Sequence, residues 1–179
     1  HGGHDWMTGG RGGDTIEGNN GDDEIRGHSG EDSILGGRGS DFMSGGRGED
    51  TLRGEAGNDT LVGGLERDLL HGGEGADLFV FQSVEDSGRG GDLPDWISDF
   101  DSGEDRIDLS AIDADTGDSE DSSFTFIGEA AFSETAGELR FEATPLQTTV
   151  YADVDGDGVA DLVIDMYGCL ELTEANFVL

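Results

Sequence analysis

Gly9-Gly10-Arg11-Gly12-Gly13-Asp14-Thr15-Ile16-Glu17 is the clearest copy of a nine-residue unit that decides how this chain folds. The same register runs through copies starting at Gly18, Gly27, Gly36, Gly45, Gly54, Gly63 and Gly72, with a truncated copy over His1 to Thr8. The sixth position is always aspartate: Asp5, Asp14, Asp23, Asp32, Asp41, Asp50, Asp59, Asp68 and Asp77. The eighth is always apolar: Met7, Ile16, Ile25, Ile34, Met43, Leu52, Leu61, Leu70 and Phe79. A flexible linker needs neither column, so a fixed period of this kind points to a solenoid.

Each column has a physical reason. Glycine at the first, second and fourth positions permits positive φ and close backbone approach, so six residues can form a tight turn. The other three suffice for a short strand with the apolar residue inward and its neighbours outward. Two units complete one coil, and successive coils stack at the strand spacing of about 4.8 Å. Each aspartate then lies within reach of the one eighteen residues later.

Charge sharpens the argument. The 179 residues include 42 acidic and 9 basic side chains, a formal charge of −33. Low aromatic content and such a charge suit either a disordered acidic chain or a fold whose carboxylates hard cations neutralise. The register of the acids selects the second. Calcium takes six to eight oxygens, and glycine turns lined with carboxylates offer them. The core is thin: one aliphatic side chain per nine residues gives about 2 kcal/mol, against about 1–2 kcal/mol of ordering entropy for every residue. The roll is therefore expected to require its metal.

The same charge disfavours nucleic acid and anionic membrane surfaces as partners. No segment reads as a membrane span or signal peptide. The sequence opens inside a repeat, so it is expected to be a piece of a longer chain. Cys169 stands alone, allowing no disulfide within the chain, and is expected to be a small apolar strand residue. Trp6 and Trp96 are expected to be packing residues, and His1 and His4 to be repeat filler. Neither a His-Glu-x-x-His motif nor a nucleophile elbow occurs, so no catalytic residue is assigned.

The repeats resemble the RTX, or haemolysin-type, calcium-binding family. The remainder is similar to the C-terminal domain of serralysin-type secreted metalloproteases. That second likeness rests on Gly75-Ala76-Asp77-Leu78-Phe79-Val80-Phe81, Asp95-Trp96-Ile97-Ser98-Asp99-Phe100, Glu104-Asp105-Arg106-Ile107-Asp108-Leu109-Ser110, Ala136-Gly137-Glu138-Leu139-Arg140-Phe141, the Asp153–Asp161 stretch and Asn176-Phe177-Val178-Leu179. Epimerases and lipases with RTX modules carry comparable segments.

The resemblance implies that each ion sits between one turn and the second turn after it. The first turn gives the carbonyls of its second and fourth positions and its aspartate; the second gives those of its first and third positions and its aspartate. One ion would take Gly10, Gly12, Asp14, Gly27, Ser29 and Asp32; the next, on the other edge, Asn19, Gly21, Asp23, Gly36, Arg38 and Asp41. The scheme begins with His1, Gly3, Asp5, Gly18, Asn20 and Asp23. It continues through His28, Gly30, Asp32, Gly45, Arg47 and Asp50, then Gly37, Gly39, Asp41, Gly54, Ala56 and Asp59. Gly46, Gly48, Asp50, Gly63, Leu65 and Asp68 follow, then Glu55, Gly57, Asp59, Gly72, Glu74 and Asp77. That is seven Ca²⁺ ions. An eighth would use Gly64, Glu66 and Asp68 with Asp86, eighteen residues on, and Asp95 stands where the family has another ligand. Glu66 replaces a glycine, so its turn is strained if φ is positive there.

From Gly88 alternating runs replace the repeat. Residues 96–100, 106–109, 124–127, 139–141, 149–151 and 162–164 read as strands, with Pro94 and Pro145 at boundaries and an exposed, mobile acidic loop at 119–123. The expected fold is all-β: a parallel β-roll over 1–87, continuing into a β-sandwich-like cap over 88–179 that covers the last coil. Asp153, Asp155, Asp157, Val159 and Asp161 resemble the start of an EF-hand loop, but Ile164 stands where the bidentate glutamate belongs; an Asp/Gly-rich hairpin turn accounts for them equally.

What the likeness implies for function is a non-catalytic, secreted, extracellular module. It would fold on Ca²⁺ outside a Gram-negative cell and support type I secretion of an attached N-terminal enzyme, foremost a metalloprotease. Residues 176–179 resemble the uncleaved secretion signal, with Asn176 in place of the usual acid. The alternative is a carbohydrate-binding or adhesive module of an extracellular epimerase, lipase, glycan-active enzyme or adhesin.

Overall fold

A computed structural model describes residues 2–88, 93–117 and 122–179. His1 and positions 119–121 of the acidic loop, both named above, lie outside the described residues. Eight six-residue strands open the fold: β1 Trp6–Arg11, β2 Thr15–Asn20, β3 Glu24–Ser29, β4 Ser33–Arg38, β5 Phe42–Arg47, β6 Thr51–Ala56, β7 Thr60–Leu65 and β8 Leu69–Glu74; β9 Leu78–Val80 follows. The strands are twice the length that the repeat suggests. In the β2–β4 pair, Thr15 to Glu17 face Ser33 to Leu35, the register passes over Gly18, and pairing resumes at Asn19 and Asn20. Stacked turns of identical shape present their N–H and C=O groups along the stacking direction, so the ladder continues into the second and third turn positions.

The turns use positive φ at two columns. The second position has φ from 77° at Glu55 to 117° at Gly37, and the fourth from 81° at Glu66 to 142° at Gly3. Glu66 is thus in the strained conformation its sequence position foreshadows. Asn19 and His28 share that region at φ 79° and 81°, and asparagine and histidine tolerate it better than glutamate.

Two sheets form. A seven-stranded parallel sheet runs β1-β3-β5-β7-β9-β11-β16, with β11 Arg106–Asp108 and β16 Phe177–Val178. A nine-stranded sheet runs β2-β4-β6-β8-β10-β15-β14-β13-β12 in space, with β10 Asp95–Ile97, β12 Thr125–Gly128, β13 Glu138–Ala143, β14 Gln147–Asp153 and β15 Leu162–Tyr167. β15 joins β10 in parallel, and the β13–β14–β15 meander is antiparallel. Both sheets cross residue 88 unbroken, so the cap is built by extending them.

The apolar column carries through as well. Ile25, Ile34, Met43, Leu52, Leu61, Leu70 and Phe79 are fully buried, whereas Met7 and Ile16 at the first coil are only partly so. Leu70 stacks on Ile97, Phe79 on Ile107, and Ile107 on Phe177. Beyond them Phe81, Phe100, Leu109, Leu139, Val150, Ile164 and Met166 close the end of the roll.

Two packing expectations are corrected. Trp6 is 68% exposed, because β1 is an edge strand and its indole lies on the outer face, where the Arg26 guanidinium sits 5.5 Å from the ring centroid. Cys169 is exposed and lies past the end of β15, since the chain turns at Gly168 with φ 95°. Among the described residues no helix is long and apolar enough to cross a membrane.

Candidate metal ladders

The repeat aspartates form two ladders, one on each edge of the roll. In each step the backbone N–H of one aspartate donates to Oδ1 of the aspartate in the next coil. The first edge runs Asp5–Asp23–Asp41–Asp59–Asp77 at 2.7–2.8 Å. The second runs Asp14–Asp32–Asp50–Asp68 at the same distances.

The second oxygen of each carboxylate defines the site. Oδ2 of Asp14, Asp23, Asp32, Asp41, Asp50, Asp59, Asp68, Asp77 and Asp95 is buried with no hydrogen-bond partner. A buried acceptor left unpaired is costly, and a buried unpaired charge more so. Nine in register are not accidents of packing.

The glycines show what surrounds these oxygens. A Cβ at Gly18 would lie 2.5 Å from both Asp23 Oδ2 and the Gly36 carbonyl oxygen. At Gly27 it would strike Asp32 Oδ2 and lie 2.8 Å from the Gly45 oxygen. The first-position glycines from Gly18 to Gly54 thus each leave a cradle shared by their own turn's carboxylate and the first-position carbonyl two turns on, and Gly9, Gly63 and Gly72 each abut their own turn's carboxylate. The carbonyls of Asn19, His28, Gly46 and Glu55 at the second position abut the second-position glycines of the following coil, and those of Gly3, Gly21, Gly30, Gly39 and Gly57 do the same at the fourth. Carbonyl oxygens therefore face the inter-turn gap from both coils. The third-position carbonyls of Asn20, Ser29, Arg38, Arg47, Ala56, Leu65 and Glu74 each accept an N–H from the preceding coil at 2.7–3.3 Å, and a second lone pair remains.

Electrostatics agree with the geometry. Burial, aided by the neighbouring acids, raises the Asp50 carboxyl to about 6, Asp59 to about 7 and Asp68 to about 8. Asp95, most deeply buried, is pushed up to about 9. Burial also raises Asp41, Asp77 and Asp86. The sequence has no lysine. Among the described residues, no arginine or histidine forms an ion pair with a repeat aspartate. Clustered, desolvated carboxylate oxygens facing carbonyls, without N–H donors to answer them, suit a hard divalent cation.

Beyond the repeats the ladders follow partners that a count of eighteen misses. Asp68 N–H donates to Asp95 Oδ1 at 2.9 Å, twenty-seven residues away. Asp86 instead accepts from Gln82 and Ser83 N–H through Oδ2, while standing near enough to raise both Asp68 and Asp95. On the other edge Asp77 N–H donates to Asp105 Oδ1 at 2.8 Å, twenty-eight residues away. Asp105 was absent from the sequence-derived ligand set. Its signal was available in Asp105-x-Ile107, which repeats the sixth- and eighth-position pattern, as Asp95-x-Ile97 does.

The 153–161 loop joins antiparallel β14 and β15 and so is a hairpin connection. It also brings oxygens of Asp153, Asp155 and Asp161 within 4.8 Å of one another. The carboxylates are engaged by the loop's own backbone: Asp153 accepts from Gly156 and Gly158, Asp157 from Val159, and Asp161 from Val154. Asp155 accepts from Asp157 N–H at 3.1 Å.

A family model described as Peptidase M10 serralysin C terminal matches residues 6–179. The chain belongs to that family. The serralysin C-terminal chain is also similar to two solved subunits of the mannuronan C5-epimerase of Azotobacter vinelandii. The AlgE6R3 subunit is 33% identical with a TM-score of 0.57, over 83% of this chain and 77% of that one. The AlgE6R2 subunit is 27% identical with a TM-score of 0.60, over 96% and 91%.

Proposed function

We propose that this serralysin C-terminal chain is a non-catalytic calcium-binding module of a secreted bacterial protein, folded by Ca²⁺ outside the cell. The row of orphaned Oδ2 atoms carries the reading. With Asp95 and Asp105 the two edges make nine aspartate-to-aspartate steps, each able to hold an ion, against the seven or eight that the repeat count gives. Asp86 adds a carboxylate beside the Asp68–Asp95 step.

The mechanism is linkage. Ca²⁺ binds the folded turns and scarcely the unfolded chain, so each site adds RT ln(1 + [Ca²⁺]/Kd), about 2.7 kcal/mol at a hundredfold excess over Kd. Sites of extracellular-module affinity, about 10⁻⁴–10⁻³ M, stay unloaded in cytosol and fill outside. The chain is then exported unfolded by a type I secretion apparatus and folds on arrival, stabilising an enzyme domain N-terminal to it, foremost a metalloprotease. The roll over 1–87 provides the metal response and the segment over 88–179 the closure. Far-UV circular dichroism tests this: millimolar Ca²⁺ produces the roll's β signal and a chelator removes it. An identical spectrum in both conditions ends the proposal.

A second reading, a carbohydrate-binding module, draws on the likeness to the epimerase subunits and on the stack of exposed Trp6 and Arg26 over half-buried Phe42. Binding of a glycan at fixed Ca²⁺ that Trp6→Ala abolishes supports it.

A further inference from the structure

Asn20-Gly21 is the one place in the sequence where glycine follows asparagine. The roll itself imposes the glycine: Gly21 has φ 121°, and a Cβ there would strike the Gly3 carbonyl. The residue before it is not constrained in this way, since the third turn position elsewhere is glycine, arginine, serine, alanine, leucine or glutamate. Asn20 is exposed at the end of β2, so its carboxamide is free to swing onto the next backbone nitrogen, which no side chain at residue 21 shields.

The chemistry needs only water. The Gly21 amide nitrogen gives up its proton to solvent and bonds to Asn20 Cγ; the Cγ–Nδ2 bond breaks, and the nitrogen takes a proton from solvent and leaves as ammonia. Water then opens the five-membered succinimide at either carbonyl, giving aspartate or isoaspartate. The stacked coil withholds the attacking nitrogen. Gly21 N–H donates to the Arg38 carbonyl at 2.8 Å, and the Asn20 carbonyl accepts from Gly3 N–H at 2.9 Å. Asn20 also pairs with Arg38 and bridges to Gly2. These partners must let go before the ring can close. The hold is weakest in this coil, because β1 and β2 are edge strands and Met7 and Ile16 are only partly buried, whereas the column from Ile25 to Phe79 is buried. Opening it leaves the rest of the roll intact.

We infer that Asn20 is a self-modifying site whose deamidation is gated by the stacking of the first coil. The gate depends on stacking, whatever ion occupies the ladders. The isoaspartyl product cannot restack: the old main-chain carbonyl becomes a free carboxylate and the chain gains a carbon, so the pairings to Gly3 and Arg38 lose register. Deamidation is thus a one-way record of the time the first coil spends open.

Peptide mapping of the full chain by mass spectrometry, throughout in millimolar Ca²⁺, reads the amide-to-acid conversion at residue 20. The native chain converts at least about tenfold more slowly than the same chain unfolded in guanidinium. Ile16→Ala, which trims the first coil, speeds conversion at least about fivefold while residues 42–74 keep their hydrogen-exchange protection. Should Ile16→Ala unfold the roll, Met7→Ala at the outermost rung takes its place. The isoaspartyl form, recognised by protein isoaspartyl methyltransferase, loses protection over β1 and β2, whereas Asn20→Asp, with the same charge and no extra carbon, keeps it. No conversion at residue 20 in the unfolded chain overturns the site. Conversion of the native chain at the unfolded rate, or a wild-type rate in the trimmed variant, overturns the gate, and an isoaspartyl form protected like the wild type overturns the one-way record.

Discussion

Among the described residues, seven buried apolar core residues come from the repeats between Ile25 and Phe79, and eighteen from Phe81 to Phe177. Among the same described residues the orphaned carboxylate oxygens divide the other way, eight in the repeats and one, that of Asp95, beyond them. The two halves share both sheets, yet one is held by apolar burial and the other lacks enough of it. Where side chains cannot supply a core, the backbone geometry of the roll supplies oxygen cages instead.

Chelation probes that contrast most strongly. Removing Ca²⁺ is expected to abolish amide protection over Trp6–Val80, while the β13–β14–β15 meander, with its antiparallel pairing and aliphatic core, keeps a measurable part of its own. Loss of the two regions at one rate, read by hydrogen exchange, would show that the contrast in burial has no energetic counterpart.

Next in size is a single rung. Asp59 serves both the Asp41 and Asp77 steps. Asp59→Ala should cost about 3 kcal/mol or more at calcium a hundredfold over Kd, read as a lower Tm, and should lower the number of bound ions by up to two. Asp108→Ala, at a half-buried position in the cap's β11 strand outside the ladders, loses only the local Ser110 donors and should change stability by about 1 kcal/mol.

Proton linkage is a smaller effect and has a definite sign. Asp59, Asp68 and Asp95 have folded-state pKa values raised to about 7, 8 and 9, well above their unfolded value. Between those limits the metal-free fold holds more protons than the unfolded chain. Its stability from this source is therefore present below about pH 4 and falls as pH rises through 7 to 9. Calcium displaces those protons, so the calcium midpoint should move to lower concentration as pH rises from 6 to 9. Calorimetry in buffers of different ionisation heat measures the protons released, and a release of zero would contradict the assignment of cations to these carboxylates.

The smallest change concerns one turn. Glu66→Gly should raise stability by about 1 kcal/mol by relieving the φ of 81°. No gain in the denaturation midpoint would mean that the Glu66 carboxylate, close enough to raise Asp50 and Asp68, compensates for the strain.

The regular part of the molecule was legible because two columns recur without exception, and a period of nine leaves one way to stack them. Sequence spacing failed where the period failed. The detours of twenty-seven and twenty-eight residues moved the next partners of Asp68 and Asp77 to Asp95 and Asp105. Strand length was underestimated because pairing through Asn19 and Asn20 depends on the neighbouring coil, not on their own propensity. Trp6 was misread since residue type indicates packing only where a neighbouring strand covers it.

The most direct test is calcium anomalous scattering from a crystal grown in millimolar Ca²⁺. The account predicts peaks between successive rungs, each within about 2.3–2.6 Å of aspartate Oδ2 atoms and turn carbonyls. An intact roll with no peak beside those oxygens would contradict it.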